Sequence, residues 1–153
     1  MKMTIHEIVE AVRSRYQRYG EHLQPGCDDA EIERLKVDVH NRYSINLPEI
    51  YLDLLRQVNG FGHDGYGIYA SKPAYYSPED EYPVKDGIVE ANEGMKLDGV
   101  AIPNGLCFGY GDDDVFGLDL STGVFRQYDV YRKPLKDFGS FEDMFRFMFE
   151  RRI

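Results

Sequence analysis

Residues 47–70, LPEIYLDLLRQVNGFGHDGYGIYA, join a short helix to the start of a sheet, and few architectures accept such a joint. Pro48 suits a first helical turn, because the donor that proline lacks would be unpaired there anyway. Tyr51, Leu54, Leu55 and Val58 repeat at steps of three and four, which puts them on one face. Asn59-Gly60 is expected to end the helix, with Gly60 left-handed at the C′ position. Gly62, Gly65 and Gly67 then read as a flexible corner, and Tyr66, Ile68 and Tyr69 as the beginning of an extended run. A joint of this kind belongs in the core of an α+β domain.

Upstream the pattern is helical. Thr4 and Glu7 spell a capping box, and Ile5, Ile8, Val9, Val12, Tyr16 and Tyr19 form the expected buried stripe of a first helix that Gly20 stops. Asp28 and Glu31 open a second helix with Ile32, Leu35, Val39 and Tyr43 turned inward. Downstream, residues 70–83 are polar and aromatic, and their three prolines argue against a helix or strand. Ile88, Val89 and Asn92 fit one side of a short helix that starts near Asp86 and stops at Gly94.

From Gly99 the pattern changes to strands. Residues 100–102, 106–110, 115–120 and 124–128 are short apolar runs, with turns expected at Gly111-Asp112-Asp113-Asp114 and Ser121-Thr122-Gly123. Residues 131–138 read as a loop. Ser140 and Asp143 cap a last helix whose apolar face is Phe141, Met144, Phe145 and Met148. No repeat or linker interrupts the 153 residues. The expectation is one α+β domain over residues 1–153: N-terminal helices, an antiparallel or mixed sheet of about four to six strands, and a closing C-terminal helix.

Charge narrows the function classes. The chain carries 27 acids against 18 bases, a formal charge of −9. That opposes nucleic-acid binding, which needs a basic stripe to replace counterions, and docking on an anionic membrane. It would attract a basic protein partner. No apolar run approaches a membrane span, and the charged N-terminus is not a signal peptide. Cys27 and Cys107 are isolated thiols without CxxC spacing, which fits a reducing cytoplasm. With 9 Phe and 12 Tyr and no Trp, the core is expected to be rich in rings.

The candidate chemistry is thin. Residues 60–65 match GxGxxG, yet a dinucleotide fingerprint needs a strand before it and a helix after it, and here the order is reversed. His63-Asp64 would need a nucleophile within reach, and neither cysteine lies in a nucleophile motif. The aspartates at positions 112–114 lack the alternating acids of a calcium loop, although a loose divalent-ion site that includes Asp119 stays open. No catalytic residues, metal or cofactor are expected. Acid and tyrosine are instead the signature of a protein-binding surface. The candidate partner-binding residues are Asp64, Tyr66, Tyr75, Tyr76, Glu79, Asp80, Glu81, Asp112, Asp113 and Asp114.

The order of these motifs resembles a known family. Leu47-Pro48, Tyr51, Leu55 and Asn59-Gly60 look like the core motif of the SUKH superfamily. Residues 88–92, an apolar segment ending in Asn92, resemble the next. Phe108-Gly109-Tyr110-Gly111-Asp112, Val115-Phe116-Gly117-Leu118-Asp119 and Thr122-Gly123-Val124 are similar to its hairpin, strand and turn, and residues 140–144 to its closing helix. The likeness spans about residues 28–150 and leaves the N-terminal helix, within residues 1–22, outside the motif. It implies an α+β fold without catalytic activity. Bacterial members are mostly immunity proteins that bind and neutralise a cognate polymorphic toxin, often a nuclease, inside the cell. Fungal relatives act as cell-wall signalling scaffolds. The resemblance therefore implies a cytoplasmic immunity protein, a monomer or weak dimer with a basic toxin as partner, or alternatively a regulatory scaffold without a toxin.

Overall fold

The computed structural model describes residues 2–75, 79–81 and 85–153. Three helices come first: α1 (Ile5–Arg18), α2 (Asp29–Tyr43) and α3 (Glu49–Gln57). A hairpin of β1 (Phe61–His63) and β2 (Tyr66–Ile68) precedes α4 (Ile88–Leu97), and β3 (Gly105–Tyr110), β4 (Val115–Asp119), β5 (Phe125–Tyr128) and β6 (Pro134–Phe138) follow. Helix α5 (Phe141–Phe149) and a 3₁₀ turn at Glu150–Arg152 complete it. The six strands form one antiparallel sheet in sequence order, so this is the α+β fold expected, with helices first and a helix last.

The helix starts follow the sequence closely. The Thr4 hydroxyl accepts from the Glu7 amide and the Glu7 carboxylate accepts from the Thr4 amide, each at 3.1 Å. Asp28 with Glu31 repeats the box at α2, and Ser140 caps α5. The α3 face is buried as patterned, with Tyr51 and Leu55 fully inaccessible. Tyr51 donates to the Tyr69 carbonyl at 2.7 Å and sets its ring edge-on to Phe108, 5.0 Å between centroids. One side chain thereby locks α3 to the sheet by both a hydrogen bond and a ring pair.

Asn92 performs a comparable task from α4. Strand β2 ends at Ile68, which leaves the first half of β3 without a strand on that side among the described residues. The Asn92 amide fills the gap: its Nδ2 donates to the Cys107 carbonyl at 2.8 Å and its Oδ1 accepts from the Cys107 amide at 2.7 Å. A primary amide offers the same donor and acceptor as a peptide unit, so one side chain stands in for a strand residue.

Several expectations need correcting. Helix α3 does not end on a C′ glycine. Val58 caps it in an extended conformation, and the Leu55 carbonyl is taken by the Cys27 amide at 2.8 Å. The glycine corner is not loose either. Asp64 and Gly65 have φ of 53° and 83°, a two-residue turn whose twist suits paired strands, so β1 and β2 form a tight hairpin. Helix α4 runs through Gly94 to Leu97, because one glycine in a helix costs only about 1 kcal/mol. Residues 100–102 are not a strand; Ile102 plugs the core while the chain crosses to β3. Residues 134–138, expected as loop, are the edge strand β6, masked by a leading proline and by the exposure of four of its five residues. Tyr19 is 82% exposed and does not belong to the α1 stripe.

The buried rings and thiol predict alkaline sensitivity. Burial pushes the Cys107 thiol up to about 11 from an ordinary 9.0 and raises the Tyr51 and Tyr69 phenols above their ordinary 10.0. These groups hold their protons in the folded chain where the unfolded chain releases them. Their contribution is complete below about pH 9 and is lost as pH rises through the folded values. Lys85, whose pKa burial lowers from 10.5, works in the opposite direction but is outnumbered. The melting temperature is expected to be level from pH 7 to about 9 and to fall steeply toward pH 11. A level profile to pH 11 would contradict this assignment.

Candidate partner-binding surface

Pairing of β2 with β3 assembles the candidate surface. The register Gly67 with Tyr110 and Ile68 with Gly109 sets the β1–β2 turn beside the β3–β4 turn. A Cβ placed on Gly65 would sit 2.7 Å from Asp112 Oδ1, so the two turns touch. Asp64, Asp112 and Asp113 are exposed there, on hairpins far apart in sequence. Asp114 is half-buried and is already engaged, accepting from Gln127 Nε2 at 2.6 Å. It belongs to the frame of the turn more than to its outer face.

Tyr66 sits at the foot of this acidic end. Its ring packs edge-on against Phe116 at 6.1 Å and carries the Arg152 guanidinium 3.9 Å from its centroid. Arg152 Nε also approaches Asp64 Oδ2 at 4.0 Å. Arg152 thus ties the C-terminal 3₁₀ turn to both candidates. Sequence reading missed it, since a terminal arginine pair after an amphipathic helix has no distinguishing pattern.

The other candidates belong to a loop with a different root. Glu79, Asp80 and Glu81 are exposed and Tyr75 is 47% exposed. Their loop is closed at its base by a bridge between Ala74 and Lys85. That base lies beside Gly60, at the other end of β1 from Asp64. The fold therefore joins Asp64, Tyr66, Asp112 and Asp113, while the loop that carries the second acidic group is rooted at the other end of β1. Tyr76 lies outside the described residues.

Other chemistry has clear structural uses. His63 Nε2 is 2.8 Å from the Arg152 carbonyl, which pins the C-terminal turn. Both cysteines are buried, and the Cys107 thiol donates to the Gly109 carbonyl at 3.2 Å. Asp119 stands at the far end of β4 from Asp114, roughly 17 Å away along the strand, so the two do not share a site. Asp119 accepts from the Ser121 amide at 2.8 Å and from Arg126 at 2.7 Å, the amide first among the causes that lower its pKa. Among the described residues no group of three or more His, Cys, Asp or Glu could hold a metal. No helix among them is long and apolar enough to cross a membrane.

A family model, the SMI1 / KNR4 family (SUKH-1), matches residues 26–146. The match takes in α2 through most of α5 and leaves α1 outside. No curated protein matches the chain.

Proposed function

From the chain's membership of the SMI1 / KNR4 family (SUKH-1), we propose that it is a non-enzymatic binding module, an immunity protein that neutralises a cognate toxin in the bacterial cytoplasm. The observation that carries the reading is the acidic end of the sheet, where two hairpins place Asp64, Asp112 and Asp113 side by side. A nuclease holds its substrate with cations that face phosphates. Carboxylates spaced along a protein edge offer those cations a substitute. The net charge of −9 speeds the encounter, and Tyr66 adds contact area at small entropy cost. Blocking of this kind needs no proton transfer and no bound metal. Family membership also covers the regulatory-scaffold reading, in which the same surface would meet a protein that is not toxic.

The test begins with capture of partners from the native cell lysate at low salt, followed by a high-salt wash. A captured protein that arrests growth when expressed alone, and fails to do so beside this chain, supports the immunity reading. Captured proteins without toxicity support the scaffold. With the partner in hand, Asp64, Asp112 and Asp113 are all changed to asparagine, which keeps the turn geometry. The association rate at low salt is expected to drop about tenfold, and its salt dependence to flatten. An unchanged rate would remove this end of the sheet from the interface.

A further inference from the structure

A second surface has the opposite charge. Between β6 and the C-terminal half of α5 lies a groove of about 640 Å³. Its floor is the ring pair Phe138 and Phe147, 5.2 Å apart. Lys136 stands over both rings, at 5.9 and 5.5 Å, and Arg151 lies 4.7 Å from the Phe147 centroid. Lys2 completes the rim.

What distinguishes the groove is that both its acids are engaged, Asp143 by the lining Arg146, while its three other cations have no carboxylate partner among the described residues. Asp143 accepts from Arg146 at 2.5 Å, and Glu150 accepts from the Met3 amide at 3.1 Å. Among the described residues, Lys2, Lys136 and Arg151 have no carboxylate partner. In a chain of net charge −9, three unneutralised cations around an aromatic floor are a local reversal of the overall field. The wall of the groove is β6, the last strand of the sheet, so among the described residues no strand neighbours its outer edge. Pro134, Leu135, Lys136 and Asp137 are all exposed along it.

We propose that this groove docks an extended acidic peptide segment of a partner protein. A phenylalanine or leucine of the segment covers Phe138 and Phe147, flanking carboxylates pair with Lys2, Lys136 and Arg151, and the backbone runs along β6. The occupant is argued from complementarity: an apolar floor selects against a purely ionic ligand, and the rim selects for carboxylates. A nucleic acid is the poorer fit, because its phosphates would meet Asp143 and Glu150 and be repelled by the rest of the surface. The groove shares no lining residue with the acidic end of the sheet and does not depend on the immunity reading.

The test is fluorescence anisotropy of the full chain with a short labelled peptide in which glutamates flank a central phenylalanine. Saturable binding is expected at low salt. Lys136→Glu with Arg151→Glu, both at exposed positions, is expected to weaken it more than tenfold, about what loss of two charge pairs brings, with an unchanged melting temperature. Asp112→Asn should leave it intact, which separates this groove from the acidic end. A peptide with alanine for phenylalanine should bind more weakly. Absence of binding, binding that survives the double charge reversal, or equal competition by inorganic phosphate or a single-stranded oligonucleotide would each overturn the proposal.

Discussion

Asn92→Leu is expected to lower the free energy of unfolding by about 4 kcal/mol, the sum for two buried backbone groups left without partners. Both belong to Cys107, whose amide and carbonyl are paired with the Asn92 side chain on the open side of β3. Leucine matches asparagine in size but offers neither donor nor acceptor, and with Asn92 only 6% exposed, water has no easy route in. Against a total stability of about 5–15 kcal/mol, that is a large share. In urea the midpoint should fall while the slope stays constant, because the surface exposed on unfolding is the same. Asn92→Asp gives a finer reading. At neutral pH its carboxylate still accepts from the Cys107 amide but faces the Cys107 carbonyl, so the loss should be as great as for leucine. Below the carboxylate's own pKa the protonated acid can donate, and part of the loss should return. A loss under about 1 kcal/mol for leucine would mean that β3 finds another partner there.

Asn92 also shows where the sequence is readable. An asparagine that ends the short segment 88–92 is easy to pick out, yet nothing in its neighbours says that it pairs with a strand fifteen residues later. Local chemistry was legible: the capping boxes at Thr4 and Asp28, the serine cap at Ser140, and the apolar faces of α3 and α5 all act through neighbours within one turn. Edge strand β6 was not, because strands are read by alternation and exposed residues do not alternate. The acidic turns were legible one at a time. Their meeting depends on β2 pairing with β3 across the intervening α4, a contact that no local periodicity encodes. The groove is further from view, since Lys2, Lys136 and Arg151 come from three separated parts of the chain.

That long-range pairing can be tested directly, and Gly109→Ala should damage it more than any surface change. Gly109 faces Ile68 across the strands, next to a register shift in β3. A Cβ there would fall well inside contact distance of the Gly67 carbonyl oxygen, 3.0 Å from Ile68 Cδ1 and 3.2 Å from Met148 Cε. The carbonyl is backbone held in the sheet, so the strands themselves must separate. Overpacking of this kind costs about 3 kcal/mol, near the upper end of its usual range. Gly67→Ala is the useful contrast. There the obstruction is the Tyr110 ring, the far end of an exposed side chain that can swing outward, and the cost should stay below about 1.5 kcal/mol. The two variants differ in consequence as well as in size. Moving β2 from β3 moves Asp64 away from Asp112, so Gly109→Ala should speed amide exchange in both hairpins and slow partner association at a temperature where the variant is still folded. Gly67→Ala should do neither. Equal stability of the two variants would show that β2 and β3 yield as easily as a surface ring, and the acidic end would then owe its geometry to the turns alone.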